Sequence, residues 1–251
     1  TLGGEQAGLT KGREYLDATD KAIDEAIELG EGSKHLVKLK GEADALDKNL
    51  DSYVKLLDQT LALLEEQDAE KRHMDEAAVV YMENCAAFLD GQNAKITGEI
   101  NEGASPDKLK ERLRKVTLIN DIIDLGNATR VAAWKAQAER NSDGLEEALA
   151  HLTATEAKFA AIREITYEDA DIKTLDTIEA AGTNYAEAIR AYMREGNEIA
   201  DIGGSRVTAA LSLLDSSKDV AEAGITATSE IAKSADESLG SASTLMVIGL
   251  I

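Results

Sequence analysis

Three arginines stand where the spacing of their neighbours calls for apolar residues, and an inward guanidinium needs an anion. Arg13 falls in the series Leu9, Arg13, Leu16, Asp20, Ile23, Ile27, and Arg130 in Leu109, Leu113, Val116, Asn120, Ile123, Asn127, Arg130, Trp134. Arg206 falls in a third series that runs from Leu175 through Ile178, Tyr185, Ile189 and Tyr192 to Leu213. Removing a guanidinium from water costs on the order of several kcal/mol unless it is paired and hydrogen-bonded. The partner is either one of the chain's 48 acidic residues, such as Asp20, or a ligand. A small carboxylate matches the planar fork of Arg, and neighbouring Thr or Tyr hydroxyls suit its remaining oxygens. Thr60, Gln67 and Lys71 interrupt the longest apolar seam with polar groups. Tyr53, Tyr185 and Trp134 are large seam residues that become ligand contacts where a cavity lies beside them. The candidate ligand-binding residues are therefore Arg13, Thr60, Arg206, Arg130, Tyr53, Tyr185 and Trp134.

Other chemistry lacks its residues. His35, His73 and His151 are far apart, with no second ligand at metal-binding spacing, and they read as surface histidines. Inward Glu-x-x-His pairs, which a di-iron bundle would need, are missing, as are a glycine-rich phosphate loop and a nucleophile elbow. The expectation is a protein that is not an enzyme and carries neither metal nor cofactor. Cys85 sits at a core spacing and reads as a small buried hydrophobe. A formal charge of −21, with no basic stripe, argues against nucleic acid and against an anionic membrane surface.

The elements that must position these side chains are helices. One Pro, two Phe and one Trp among 251 residues, with abundant Ala, Leu, Glu and Lys, predict an all-α protein. Breaks are expected at Gly30-Glu31-Gly32-Ser33, at Gly103 to Asp107 with Ser105 as N-cap and Pro106 at N1, at Asn141 to Gly144, and at Thr166 to Asp169. The longest seam runs Leu39, Ala43, Leu46, Leu50, Tyr53, Leu57, Thr60, Leu64, Gln67, Lys71, Met74, Ala78, Tyr81, Cys85, Phe88 without slipping. A helix over about residues 40 to 101 would be roughly 90 Å long, which suits two stacked bundles better than one. A shift of 132 residues places Tyr53 on Tyr185 and Leu57 on Ile189, which suggests two halves. The expected architecture is two stacked four-helix bundles built from two long and four shorter helices. Its membrane-proximal module takes about 1–66 plus 207–243, and its distal module about 67–206.

The last residues, Ser243 to Ile251, turn apolar after a polar chain and read as the first turns of a transmembrane helix, with 244–251 as its start. The first residues, Thr1-Leu2-Gly3-Gly4, show no signal peptide.

With a membrane flank, two long and four shorter helices and inward arginines, the chain resembles the helical bimodular sensor domains of bacterial methyl-accepting chemotaxis proteins, among them receptors for citric-acid-cycle intermediates. The resemblance implies a periplasmic domain of an inner-membrane protein, homodimeric, that binds small organic acids and signals to cytoplasmic partners. It further implies that Arg13 and Arg206, assisted by Thr60, clamp malate or succinate in the proximal module, and that Arg130 serves acetate in the distal one. The chain departs from the family pattern in lacking a second Arg one turn from Arg13, where only Lys11 is near. Two other readings use the same residues: the sensor domain of a histidine kinase, and a structural or partner-binding bundle whose arginines pair with internal carboxylates.

Overall fold

The breaks expected from Gly, Ser, Pro and Asn all become turns, and each turn shows why. The computed structural model describes the backbone over residues 2–249, and the side chains of residue 4 and residues 6–243. It contains five helices: α1 (Leu2–Glu31), α2 (Val37–Asn101), α3 (Pro106–Glu139), α4 (Ser142–Arg163) and α5 (Asp169–Gly249). No strand occurs among the described residues, so the chain is all-α. Gly103 takes φ +70°, a conformation that favours glycine, and Ser105 then caps α3 by accepting from the Lys108 amide, with Pro106 entering the first turn. Arg140 closes α3 in the left-handed region at φ 53°, and the side chain of Asn141 accepts from the Asp143 amide to start α4. Gly144 allows close approach there, because a Cβ on it would lie 2.9 Å from that of Ala136.

Four breaks give five helices, two long and three shorter. The expected fourth short helix is absent from the described residues because α1 runs unbroken over Leu2–Glu31, so one short helix and not two precedes α2; α5 likewise continues unbroken from Asp169 to Gly249, with no Pro in its run. Small residues such as Gly203-Gly204 lie within it and do not break it. The anticipated membrane turn, Leu245–Ile251, lies outside the residues whose side chains are described. Among the described residues no helix is long and apolar enough to cross a membrane.

By internal packing the chain divides into two units. The first, Leu64–Asn197, draws on four helical segments: the second part of α2, all of α3 and α4, and the first part of α5. One layer of its core holds Tyr81, Cys85, Phe88, Ile119, Ile122, Phe159, Ile162, Leu175 and Ile178. Another holds Met74, Ala78, Ala133, Leu145, Ala148, Tyr185 and Ile189. Each large side chain removed from water there contributes about 1.5–3 kcal/mol. Cys85 is fully buried, as its spacing predicted, and burial pushes its thiol up to about 12.

The second unit joins Leu2–Leu63 to the part of α5 from Glu198 onward, three helical segments in all. Its core is thinner: Ile23, Leu46 and Leu50 are buried, with Leu16, Ile27, Val54, Leu213 and Val220 packed beside them. Gly30 lets α1 meet α2, since a Cβ there would stand 2.5 Å from that of Lys40.

The seam on α2 is nearly as written, with Ala43, Leu57, Thr60, Leu64, Gln67 and Met74 all buried; Lys71 is the exception and points to solvent. The seam on α3 needs correction by one residue. Its buried positions are Arg112, Lys115, Ile119, Ile122, Gly126, Thr129, Ala133 and Ala136, whereas Leu113 and Trp134 are more than half exposed. From Gly126 onward small residues line the inward face of α3, because Tyr81 and Met74 of α2 and Tyr185 of α5 supply the volume, so hydropathy pointed to the wrong face.

Candidate ligand-binding site

Tyr81 organises the centre of the Leu64–Asn197 unit. Its ring enters from α2 between two glycines. A Cβ on Gly126 of α3 would lie 2.6 Å from Cε1, and one on Gly182 of α5 would lie 3.3 Å from Cε2. The hydroxyl donates to the Ile122 carbonyl at 3.3 Å. Burial raises its pKa, with Cys85 adding to the shift and Thr155 opposing it.

Beside this ring lies a small cavity lined by Ala78, Tyr81, Gly126, Thr129, Arg130, Leu152 and Tyr185. Its free volume of about 10 Å³ is close to what one water-sized molecule requires. Arg130 lines it from α3, and its guanidinium lies over the Trp134 ring, 5.0 Å from the centroid. Trp134 is 52% exposed, so it is not the inward core residue that its spacing suggested; it serves as a plate under Arg130. Tyr185 is buried at the cavity, and burial, reinforced by Asp75 and opposed by Arg130, pushes its hydroxyl up to about 12. That hydroxyl is protonated throughout the neutral range. The Thr129 hydroxyl donates to the Leu125 carbonyl at 2.8 Å, which leaves oxygen lone pairs rather than a donor.

Arg130 is unusual in so acidic a chain. Among the described residues neither Arg130 nor Arg206 forms an ion pair, and the Nε of each is shut from solvent without a hydrogen-bond partner. The other partly buried arginines are paired, Arg163 with Asp176 and Glu179, and Arg13 with Asp17 and, at 3.5 Å, Asp58. A buried donor left unmade costs about 1–3 kcal/mol.

The remaining candidates, Arg13, Thr60, Arg206 and Tyr53, lie in the second unit. Arg13 has the internal carboxylate partners just named. Thr60 is fully buried, but its hydroxyl donates to the Leu56 carbonyl at 2.8 Å. Tyr53 is half-buried. Arg206 alone there keeps an unpartnered Nε.

Spacing gave no warning of a polar cluster at the turn end of the first unit. Arg112, 7% exposed, sends Nη2 to Glu99 Oε1 at 2.7 Å, Nε to Glu99 Oε2 at 3.3 Å and Nη1 to Gln92 Oε1 at 2.5 Å. Gln92 passes a hydrogen bond to Asp171 at 2.8 Å, and Lys95 bridges Asp171 and Glu168 at 2.8 and 2.7 Å. Glu99 is held below the usual carboxylate range by its hydrogen bonds from Arg112, against its own burial. Burial pushes Asp171 upward, but hydrogen bonds from Lys95 and Gln92 leave it lowered. Each member is matched, so the cluster ties α2, α3 and α5 together and offers an incoming anion nothing. The adjacency of Arg112 to Lys108 and Lys115 was the only sequence signal, and α3 carries other basic residues that are exposed.

His73 and His151 pair with Glu70 and Glu147 on their own helices at 3.3 and 3.8 Å. Among the described residues no group of three His, Cys, Asp or Glu is placed to hold a metal ion. No protein-family model matches the chain, and no curated protein matches it.

Proposed function

We propose that the chain is the periplasmic sensor domain of a membrane chemoreceptor and that it binds a small organic acid, with the Arg130 cavity as its principal site. The observation that carries this reading is a half-buried guanidinium, backed by Trp134, with no carboxylate partner although the chain has 48 acidic residues. A carboxylate at Arg130 would take charge-assisted bonds from the fork and a donor from the Tyr185 hydroxyl. Acetate, with a single methyl beyond its carboxylate, fits this chemistry. It is larger than one water, so its entry must displace a wall of the cavity. Only a ligand that binds one arrangement better than the other transmits a signal. Arg206 is the corresponding group for a C4 dicarboxylate such as malate or succinate in the second unit.

The finer architecture, two stacked four-helix bundles, belongs to this proposal. Four helical segments in Leu64–Asn197 support it, and the three of the second unit do not by themselves make such a bundle. A histidine-kinase output would use the same sensor. A purely structural reading is favoured at Arg13, whose pairing with Asp17 and Asp58 fixes α1 to α2 without a ligand.

The single tryptophan makes the test direct, because Trp134 lies under Arg130 and its emission senses that site. Titration with acetate should change that emission, and acetate, succinate and malate should each raise the melting temperature. Arg130→Ala should abolish the acetate response, and Arg206→Ala the dicarboxylate response, while each variant stays folded. Well-folded protein with unchanged melting in every acid would refute the reading.

A further inference from the structure

The outward face of α5 carries a second seam. Val207, Leu211, Leu214, Ile225 and Leu239 are each more than half exposed, and they fall on one unbroken alternation of three- and four-residue steps from 207 to 242. Lys218 takes one further step, and the other positions of the run are all Ala or Thr. A strict 3.5-residue repeat is the mark of a two-stranded coiled coil rather than of a surface helix. Among the described residues nothing covers this face. The inward face of α5 ends at Ala227, the last buried residue, and every described residue from 228 to 243 is exposed. Sixteen described residues of which none is buried make a marginal helix in water, so a repeat continuing through them calls for a partner helix.

We infer that this face pairs with the same face of α5 in a second copy of the chain, parallel and in register. A second α5 presents the identical repeat, and the flanking charges select the orientation. Asp215, Glu222 and Asp236 all lie on one side of the seam, and the other side holds Ala210, Ser217, Gly224, Ile231 and Ser238, none of them charged. Antiparallel pairing would set the acidic edges of the two helices against each other. Parallel pairing sets each acidic edge against an uncharged one. Lys218, bound to Asp215 at 3.0 Å, is the polar seam residue that fixes register at some expense of stability. Thirty-six residues span about 54 Å, and a strip about 12 Å wide along them approaches the ~800 Å² per partner of a specific interface. The pairing rests on the repeat and not on the sensing of any acid.

Single-cysteine variants of the whole chain test it, since Cys85 is fully buried and does not compete. Under mild oxidation Leu211→Cys and Leu239→Cys should each form a symmetric disulfide dimer, and Glu230→Cys, on the opposite side of α5, should not. Antiparallel pairing would fail at both seam positions, because each lies far from the midpoint. Leu214→Asp should weaken the dimer at least about a hundredfold by sedimentation equilibrium, each tenfold being about 1.4 kcal/mol. Lys218→Ile should tighten it. Salt should favour it by screening two chains of charge −21 each. A monomer at all concentrations and salts, or seam cysteines that cross-link no faster than Glu230→Cys, overturns the proposal.

Discussion

Replacing Gly126 by Ala should destabilise this protein, although in most helices the same change stabilises. Alanine in a helix interior is favoured over glycine by about 0.8–1 kcal/mol. Gly41, Gly91 and Gly98 of α2 have nothing within 4 Å of an added Cβ, so alanine at each should bring that gain. At Gly126 the new methyl would lie 2.6 Å from Cε1, 3.3 Å from Cδ1 and 3.5 Å from Cζ of Tyr81. Ordinary carbon contacts begin at about 3.5 Å, so the ring must retreat by roughly an ångström. At its other edge the ring meets Gly182 of α5, where a Cβ would stand 3.3 Å from Cε2. Overpacking of this kind costs about 1–3 kcal/mol. The expected balance is a net loss of up to about 2 kcal/mol against wild type, or up to about 8 °C of melting temperature at about 2–4 °C per kcal/mol. With Tyr81→Val the ring is gone, and Gly126→Ala should then stabilise. A double-mutant cycle by urea unfolding should give a coupling of about 1–3 kcal/mol. If Gly126→Ala stabilises as Gly91→Ala does, with Tyr81 in place, the wedge between two glycines is not what holds this core.

Three further outcomes follow from the charged groups. Arg112→Ala should cost about 3–5 kcal/mol by leaving Glu99 buried without its partner, and Arg112→Met combined with Glu99→Leu should recover most of that loss in urea melts. Because Glu99 is lowered, its contribution to stability is present above the ordinary carboxylate range of about 4.3 and disappears as pH falls through its lowered value. Glu99→Gln should therefore flatten the acid limb of the melting-temperature profile. Asp47 behaves oppositely: burial, then Asp51, Asp20, Asp24 and Asp44, raise it, so its favourable share exists at low pH and is lost as pH rises through its folded value. Asp47→Asn should raise the melting temperature at neutral pH, by the equivalent of about 0.5–1 kcal/mol if two like-charge pairs are relieved, and change little in acid.

The sequence by itself determined the helices and most of their inward faces. Ser105, Pro106, Gly103, Asn141 and Gly30 act on their immediate neighbours through caps, fixed dihedrals and close approach, so their effects are readable in order along the chain. The seam of α2 was equally legible because its residues are large and apolar and need no knowledge of what faces them. Only tertiary structure decided the phase of α3, where Gly126, Thr129 and Ala133 face inward to receive Tyr81 and its neighbours, and where Arg112 is buried because Glu99, far away in hydropathy but near in space, stands opposite. It likewise separated Arg13, answered by Asp17 and Asp58, from Arg130 and Arg206, which no carboxylate answers among the described residues. Spacing places a guanidinium on a face; whether that charge is already neutralised depends on residues from other helices, and only the packed fold sets their distances.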